Sequence, residues 1–98
     1  MDYKDLINSN EVVLIEFFAT WCPHCQRMMP VVAQLRELVN GNVDIHQLDI
    51  DKNGDAANLA GAESVPTFII YKDGKEQWRQ SGEMDGEVLL SKIESYSH

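Results

Sequence analysis

Val12-Val13-Leu14-Ile15-Glu16-Phe17-Phe18, followed at once by Ala19-Thr20-Trp21-Cys22-Pro23-His24-Cys25, is the stretch on which the fold turns. Apart from Glu16, Val12 to Phe18 are all β-branched, aliphatic or aromatic, with no apolar–polar alternation. A short run of that kind fits a central strand covered on both faces. Ala19-Thr20-Trp21 leaves the strand. Pro23 suits the first turn of a helix, where its missing N–H is harmless. From there Cys25, Met28, Val32, Leu35 and Val39 recur at helical intervals, so the spacing predicts a helix from Pro23 to Val39. Pro30 falls inside it as a kink, and Asn40-Gly41 stops it.

Outward from this junction the elements alternate. Upstream, Tyr3, Leu6 and Ile7 share one face of a short helix over Asp2–Ser9. Downstream, Val43–Asp49 reads as a strand and the Ala-rich Gly54–Ala60 as a short helix ended by Gly61. Thr67–Lys72 and Lys75–Ser81 flank Asp73-Gly74, a tight-turn dipeptide, and read as a hairpin. Asp85 or Gly86 opens a last helix carrying Leu89, Ile93 and Tyr96 on one face. A β-α-β crossover followed by a hairpin implies an α/β fold, a mixed central sheet of about four strands flanked by helices on both faces.

The chain has 98 residues, room for a single domain spanning 1–98. Apolar residues make up 44% and charged residues 24%, a globular rather than a disordered composition. With 16 acidic and 8 basic residues the formal charge is −8, which repels nucleic acid and anionic membrane, so neither is an expected partner. No apolar run approaches the length of a bilayer span, and Asp2, Lys4 and Asp5 interrupt any signal-peptide pattern. With Met1 at the start, a cytoplasmic location is expected. No composition signal calls for an oligomer, and a monomer is expected.

The chemistry sits in the only two cysteines, Cys22 and Cys25. They close too short a loop to brace a fold. At a strand-to-helix junction a Cys-x-x-Cys pair is a redox dithiol. Cys22 lies at the helix N-terminus, where open N–H groups and the macrodipole favour a thiolate. Cys25 lies one turn on, more buried and less acidic. Cys22 therefore attacks and Cys25 resolves. A zinc pair is the competing reading, but zinc takes about four ligands. His24, His46 and His98 show no ligand spacing. His24 sits between the cysteines and tunes the couple, because stabilising the Cys22 thiolate stabilises the reduced form alone.

The segment Phe17-Phe18-Ala19-x-Trp21-Cys22-x-x-Cys25 resembles the active-site segment of the thioredoxin family. The resemblance runs nearly the whole chain. It takes in Pro30 as the helix-kinking proline, Val65-Pro66-Thr67 as the cis-proline loop, Lys72-Asp73-Gly74 as the hairpin turn and Gly82 after the last strand. It implies a thioredoxin-like fold and a thiol–disulfide oxidoreductase. The expected substrates are disulfide-containing proteins, a thioredoxin reductase or other dithiol donor restores the dithiol, and no bound cofactor is needed. It also implies that Pro66 is cis, that Val65 exposes its backbone to substrate, that Trp21 is a half-exposed ring facing substrate, and that Glu16 is buried in place of the family's Asp. Buried without a Lys partner, Glu16 has a raised pKa and is placed to take the Cys25 proton.

This chain departs from the family pattern at five points. Pro23-His24 between the cysteines, and Val65 before the proline, resemble the DsbA-type oxidases. Glu16 replaces Asp, and Gln47 replaces the Lys that often accompanies it. With only a short segment before Val12, the family's first edge strand is expected to be missing. The first two points favour the reverse direction, a disulfide donor or isomerase. A third reading, of another class, is a redox-silent binding module. Asp49-Ile50-Asp51-Lys52-Asn53-Gly54 matches the start of a calcium loop, but its twelfth position is Ala60 and a strand precedes it. It is expected to be an acidic loop that caps the next helix.

Overall fold

β1 (Val12–Phe18) is the central strand of the computed structural model, which describes residues 2–97; His98, weighed above as a zinc ligand, lies outside them. Around β1 the chain runs α1 (Tyr3–Ile7), β1, α2 (Pro23–Leu38), β2 (Val43–Asp49), α3 (Gly54–Ala60), β3 (Thr67–Lys72), β4 (Lys75–Ser81) and α4 (Gly86–Ser95). The four strands form one sheet in the order β2-β1-β3-β4. β1 pairs parallel with β2 and antiparallel with β3, and β3 pairs antiparallel with β4. The mixed sheet and the expected strand ranges are therefore present.

Side-chain alternation along β1 divides the core. Val12 and Leu14 join Phe68 and Ile70 of β3 in packing against Met28, Val32 and Leu35 of α2 and Leu89 and Ile93 of α4. Val13, Ile15 and Phe17 join Ile69 and Tyr71 in packing against Tyr3 of α1 and Ala57 and Ala60 of α3. Every residue from Val12 to Phe17 is fully buried, which explains the unbroken apolar run. Each such Leu, Ile or Phe contributes about 1.5–3 kcal/mol by leaving water. Among the described residues no helix is long and apolar enough to cross a membrane.

The element ends differ slightly from the sequence expectation. α1 is shorter than Asp2–Ser9, because Asp2 is its N-cap, sharing a capping box with Asp5, and Asn8 closes its C-terminus. α2 ends at Leu38; Val39 is already extended, at φ −82° and ψ 154°. Asp73 and Gly74 take φ of 51° and 79°, the paired positive values of the favoured hairpin turn. A Cβ at Gly74 would also run into the Asn8 side chain. The β2–α3 loop does not cap through its side chain: Asn53, the N-cap of α3, makes no side-chain cap bond, and its amide donates to the Asp49 carbonyl instead.

Candidate active site

β1 delivers the chain to the start of α2 through a tight turn in which the Cys22 N–H donates to the Ala19 carbonyl at 3.2 Å. Cys22 is the N-cap of α2 and Pro23 its first helical residue. Both cysteines are free thiols, with Cys22 at 5% exposure and Cys25 at 1%. The Cys22 pKa is lowered, chiefly by the Cys25 backbone N–H; the Cys25 thiol, the His24 N–H and the Arg27 charge add to the effect against partial burial. This is the open N-terminus of a helix acting on a thiolate. Burial pushes Cys25 up to about 11, and the neighbouring Cys22 and Glu16 charges act in the same direction.

Glu16 lies on the same side of the sheet as α2, by the parity that sends Val12 and Leu14 there. It is fully buried. Its strand neighbour is Gln47, whose Nε2 donates to Glu16 Oε1 at 2.9 Å. The Gln47 side-chain carbonyl in turn accepts from Arg36 Nη2 at 2.9 Å, and Arg36 Nη1 donates to the Ile45 carbonyl at 2.6 Å. Among the described residues, Glu16 Oε2 is the only buried side-chain N or O atom without a hydrogen-bond partner. Burial raises the Glu16 pKa, opposed by the Gln47 hydrogen bond and the Arg36 charge. An acceptor that is buried, raised in pKa and free at one oxygen is suited to receive a proton.

The rim around the cysteines comes from loops. Trp21 is 63% exposed, more than half, and its indole N–H donates to Asp51 Oδ2 at 3.0 Å. That bond accounts for one side chain of the calcium-like stretch, and no cluster of metal-ligating side chains occurs among the described residues. The Val65–Pro66 peptide is cis, and the Cys22 thiol points at the Val65 carbonyl at 3.8 Å. A groove of about 450 Å³ runs between Trp21 and Val65, floored by Ile50, Ala57 and Ala62. On the other side of Cys22, His24 Nδ1 lies 3.1 Å from Glu83 Oε1 and 2.9 Å from Arg27 Nη2. A bare Nδ1 accepts from Arg27; a protonated one donates to Glu83. Arg27 Nε also donates to the Glu83 carboxylate.

The family model described as Thioredoxin matches residues 1–95. The chain belongs to the thioredoxin family. A solved structure of a mutant thioredoxin from Halobacterium salinarum NRC-1 superposes with a TM-score of 0.89 at 35% identity, covering 97% of this chain and 82% of that one. Among thioredoxins of known sequence, Thioredoxin Y1, chloroplastic, of Arabidopsis thaliana is 35% identical over 89 residues, covering 91% of this chain and 52% of that protein. The thioredoxin of Chlorobaculum thiosulfatiphilum is 32% identical over 92 residues, covering 94% of this chain and 85% of that one. The chain thus spans about half the length of the chloroplastic Y-type thioredoxins it matches.

In this family member the fold gathers Glu16, Trp21, Cys22, Pro23, His24, Cys25, Val65 and Pro66 at one end of the sheet, at the C-terminal end of β1. The His24 ring turns to Glu83 and Arg27, while its backbone N–H favours the Cys22 thiolate. Four participants were not singled out from sequence. Arg27 had a local signal, lying at i+3 from His24 on the same helix. Arg36, Asp51 and Glu83 had none, because each meets its partner from a different element. Gln47 stands where the family's Asp often has its accompanying Lys, and the structure adds its hydrogen bond to Glu16.

Proposed function

We propose that this chain is a protein-disulfide reductase in which Cys22 attacks and Cys25 resolves. The observation that carries this reading is the placement of the two thiols: Cys22 caps the N-terminus of α2 beside the cis Val65–Pro66 peptide, and Cys25 is buried one turn behind it. The Cys22 thiolate attacks one sulfur of a substrate disulfide, whose S–S bond breaks to give a mixed disulfide and a first substrate thiolate. Ionised Glu16 takes the Cys25 proton, directly or through water. The Cys25 thiolate then attacks Cys22 Sγ, releases the second substrate thiolate and leaves the Cys22–Cys25 disulfide. Two electrons pass to the substrate, and the released thiolates take up two protons.

Trp21 and Val65 border the groove beside Cys22, where an extended substrate segment can lie against the Val65 backbone next to Pro66. Pro23 and His24 tune the couple from the first turn of α2. The electrons travel on sulfur alone, so the chemistry asks for no bound cofactor. A dithiol donor of the thioredoxin-reductase class closes the cycle. This direction suits a monomer in a reducing compartment such as the cytoplasm, where thiols stay reduced.

The test is reduction of a disulfide-bonded protein such as insulin, with dithiothreitol as electron source, together with the Cys22–Cys25 equilibrium against glutathione. Turnover with a potential well below the glutathione poise supports a reductase. A potential above that poise makes the chain a disulfide donor or isomerase. Absence of turnover in either direction, with partner binding unchanged in Cys22→Ser and Cys25→Ser, leaves a binding module.

A further inference from the structure

Two basic residues stand on the first turns of α2, His24 and Arg27, two and five positions on from Cys22. The Arg27 charge already favours the Cys22 thiolate. Unopposed, both would stabilise the reduced form and make the disulfide more oxidising. They are not unopposed. Glu83, from the loop between β4 and α4, places its carboxylate against both His24 Nδ1 and Arg27 Nε. The loop is held in place where it leaves β4: Gly82, at φ +95°, donates its N–H to the Pro66 carbonyl at 2.8 Å. The backbone that presents Pro66 beside Cys22 therefore also presents Glu83.

We propose that Glu83 is a positioning residue that sets the redox poise of this site, holding the His24 imidazole and the Arg27 guanidinium in a neutralised cluster away from the Cys22 thiolate. The inference rests on the dithiol reading above and adds what decides the direction of electron flow. Arg27 first and His24 second hold the Glu83 carboxyl below its usual range, so it is ionised wherever the dithiol works. Because the disulfide carries no charge for these cations to favour, any positive charge released from Glu83 acts on the reduced form alone. Pro23-His24 can thus sit between the cysteines of a reductase, its imidazole and the Arg27 guanidinium both faced by a carboxylate supplied from a distant loop.

The experiment is the Cys22–Cys25 equilibrium against glutathione for the full chain and for Glu83→Gln, read beside the pH dependence of Cys22 alkylation. Glu83→Gln is expected to shift the equilibrium constant about threefold to tenfold toward the reduced protein; tenfold is about 30 mV for a two-electron couple. The alkylation midpoint should fall with it. In a His24→Gln/Arg27→Gln background the same substitution should have no effect. An unchanged constant, a shift toward the oxidised protein, or a full shift in that background overturns the proposal. A shift in a protein that fails to reduce insulin upholds the role of Glu83 and removes the reductase reading.

Discussion

The two faces of the sheet bury polar oxygen in opposite ways. On the α1/α3 face, Tyr3 and Tyr71 meet hydroxyl to hydroxyl at 2.7 Å, so each buried polar group satisfies the other. On the α2/α4 face, Glu16 has one oxygen bonded to Gln47 and the other bonded to nothing. The first arrangement is what a core requires. The second is a cost that a stability argument does not explain. Both sit behind the same apolar β1 run: the tyrosine pair closes a helix onto the sheet, while the carboxyl stands close enough to Cys25 to act on its thiol, where the proposed proton transfer would use its free oxygen.

The largest effect should come from the reacting sulfur itself. Cys22→Ser is expected to lower insulin reduction by more than about 10³-fold, because no other thiol occupies the helix N-terminus. Cys25→Ala should instead leave substrate trapped as a mixed disulfide, visible as a mass adduct on Cys22. Next in size, Glu16→Gln should slow the resolving step by about 10²-fold, the lower range for loss of a general base. A Glu16→Gln variant that resolves mixed disulfides at the wild-type rate would dissolve the contrast between the faces.

Smaller effects sharpen the comparison through stability. The folded Glu16 carboxyl has a raised pKa. The folded state therefore keeps its proton over a range where the unfolded state has lost it. The Glu16 contribution is fully present below about pH 4.5 and is lost as pH rises through the folded value. Glu16→Gln should accordingly raise Tm at neutral pH, by roughly 1–3 kcal/mol of stability, with the gain vanishing in acid. Tyr3→Phe should do the reverse, costing about 1–3 kcal/mol by stranding the Tyr71 hydroxyl, while Tyr3→Phe with Tyr71→Phe recovers most of the loss. Chemical denaturation of the four proteins at two pH values distinguishes these signs. The smallest effect concerns the thiols. Iodoacetamide should modify Cys22 with a pH midpoint below the usual ~8.5, while Cys25 reacts only toward alkaline pH.

Local chemistry by itself determined much of this protein. A short β-branched and aromatic run interrupted only by Glu16 fits a doubly covered strand, and Asp73-Gly74 supplies the positive φ values a tight hairpin requires. A dithiol after a strand and before Pro23 can be read as sitting on a helix N-terminus. Each of these follows from a few neighbouring residues, so the element order, the strands and the redox pair were legible. The residues that tune the pair were not. Glu16 has the apolar neighbours of a core residue and Gln47 the place of its companion, but only the tertiary structure shows that Gln47 bonds one carboxylate oxygen and leaves the other over. His24 read as a tuner of Cys22, yet its ring belongs to Glu83, 59 positions away in the chain. Trp21 reads as half-exposed and is 63% exposed, but that its indole N–H is bonded to Asp51 appears only in the fold. A backbone's preferences are written in its nearest neighbours, whereas a side chain's charge state depends on whichever groups the finished fold brings within a few ångströms of it, and only the tertiary structure decides which those are.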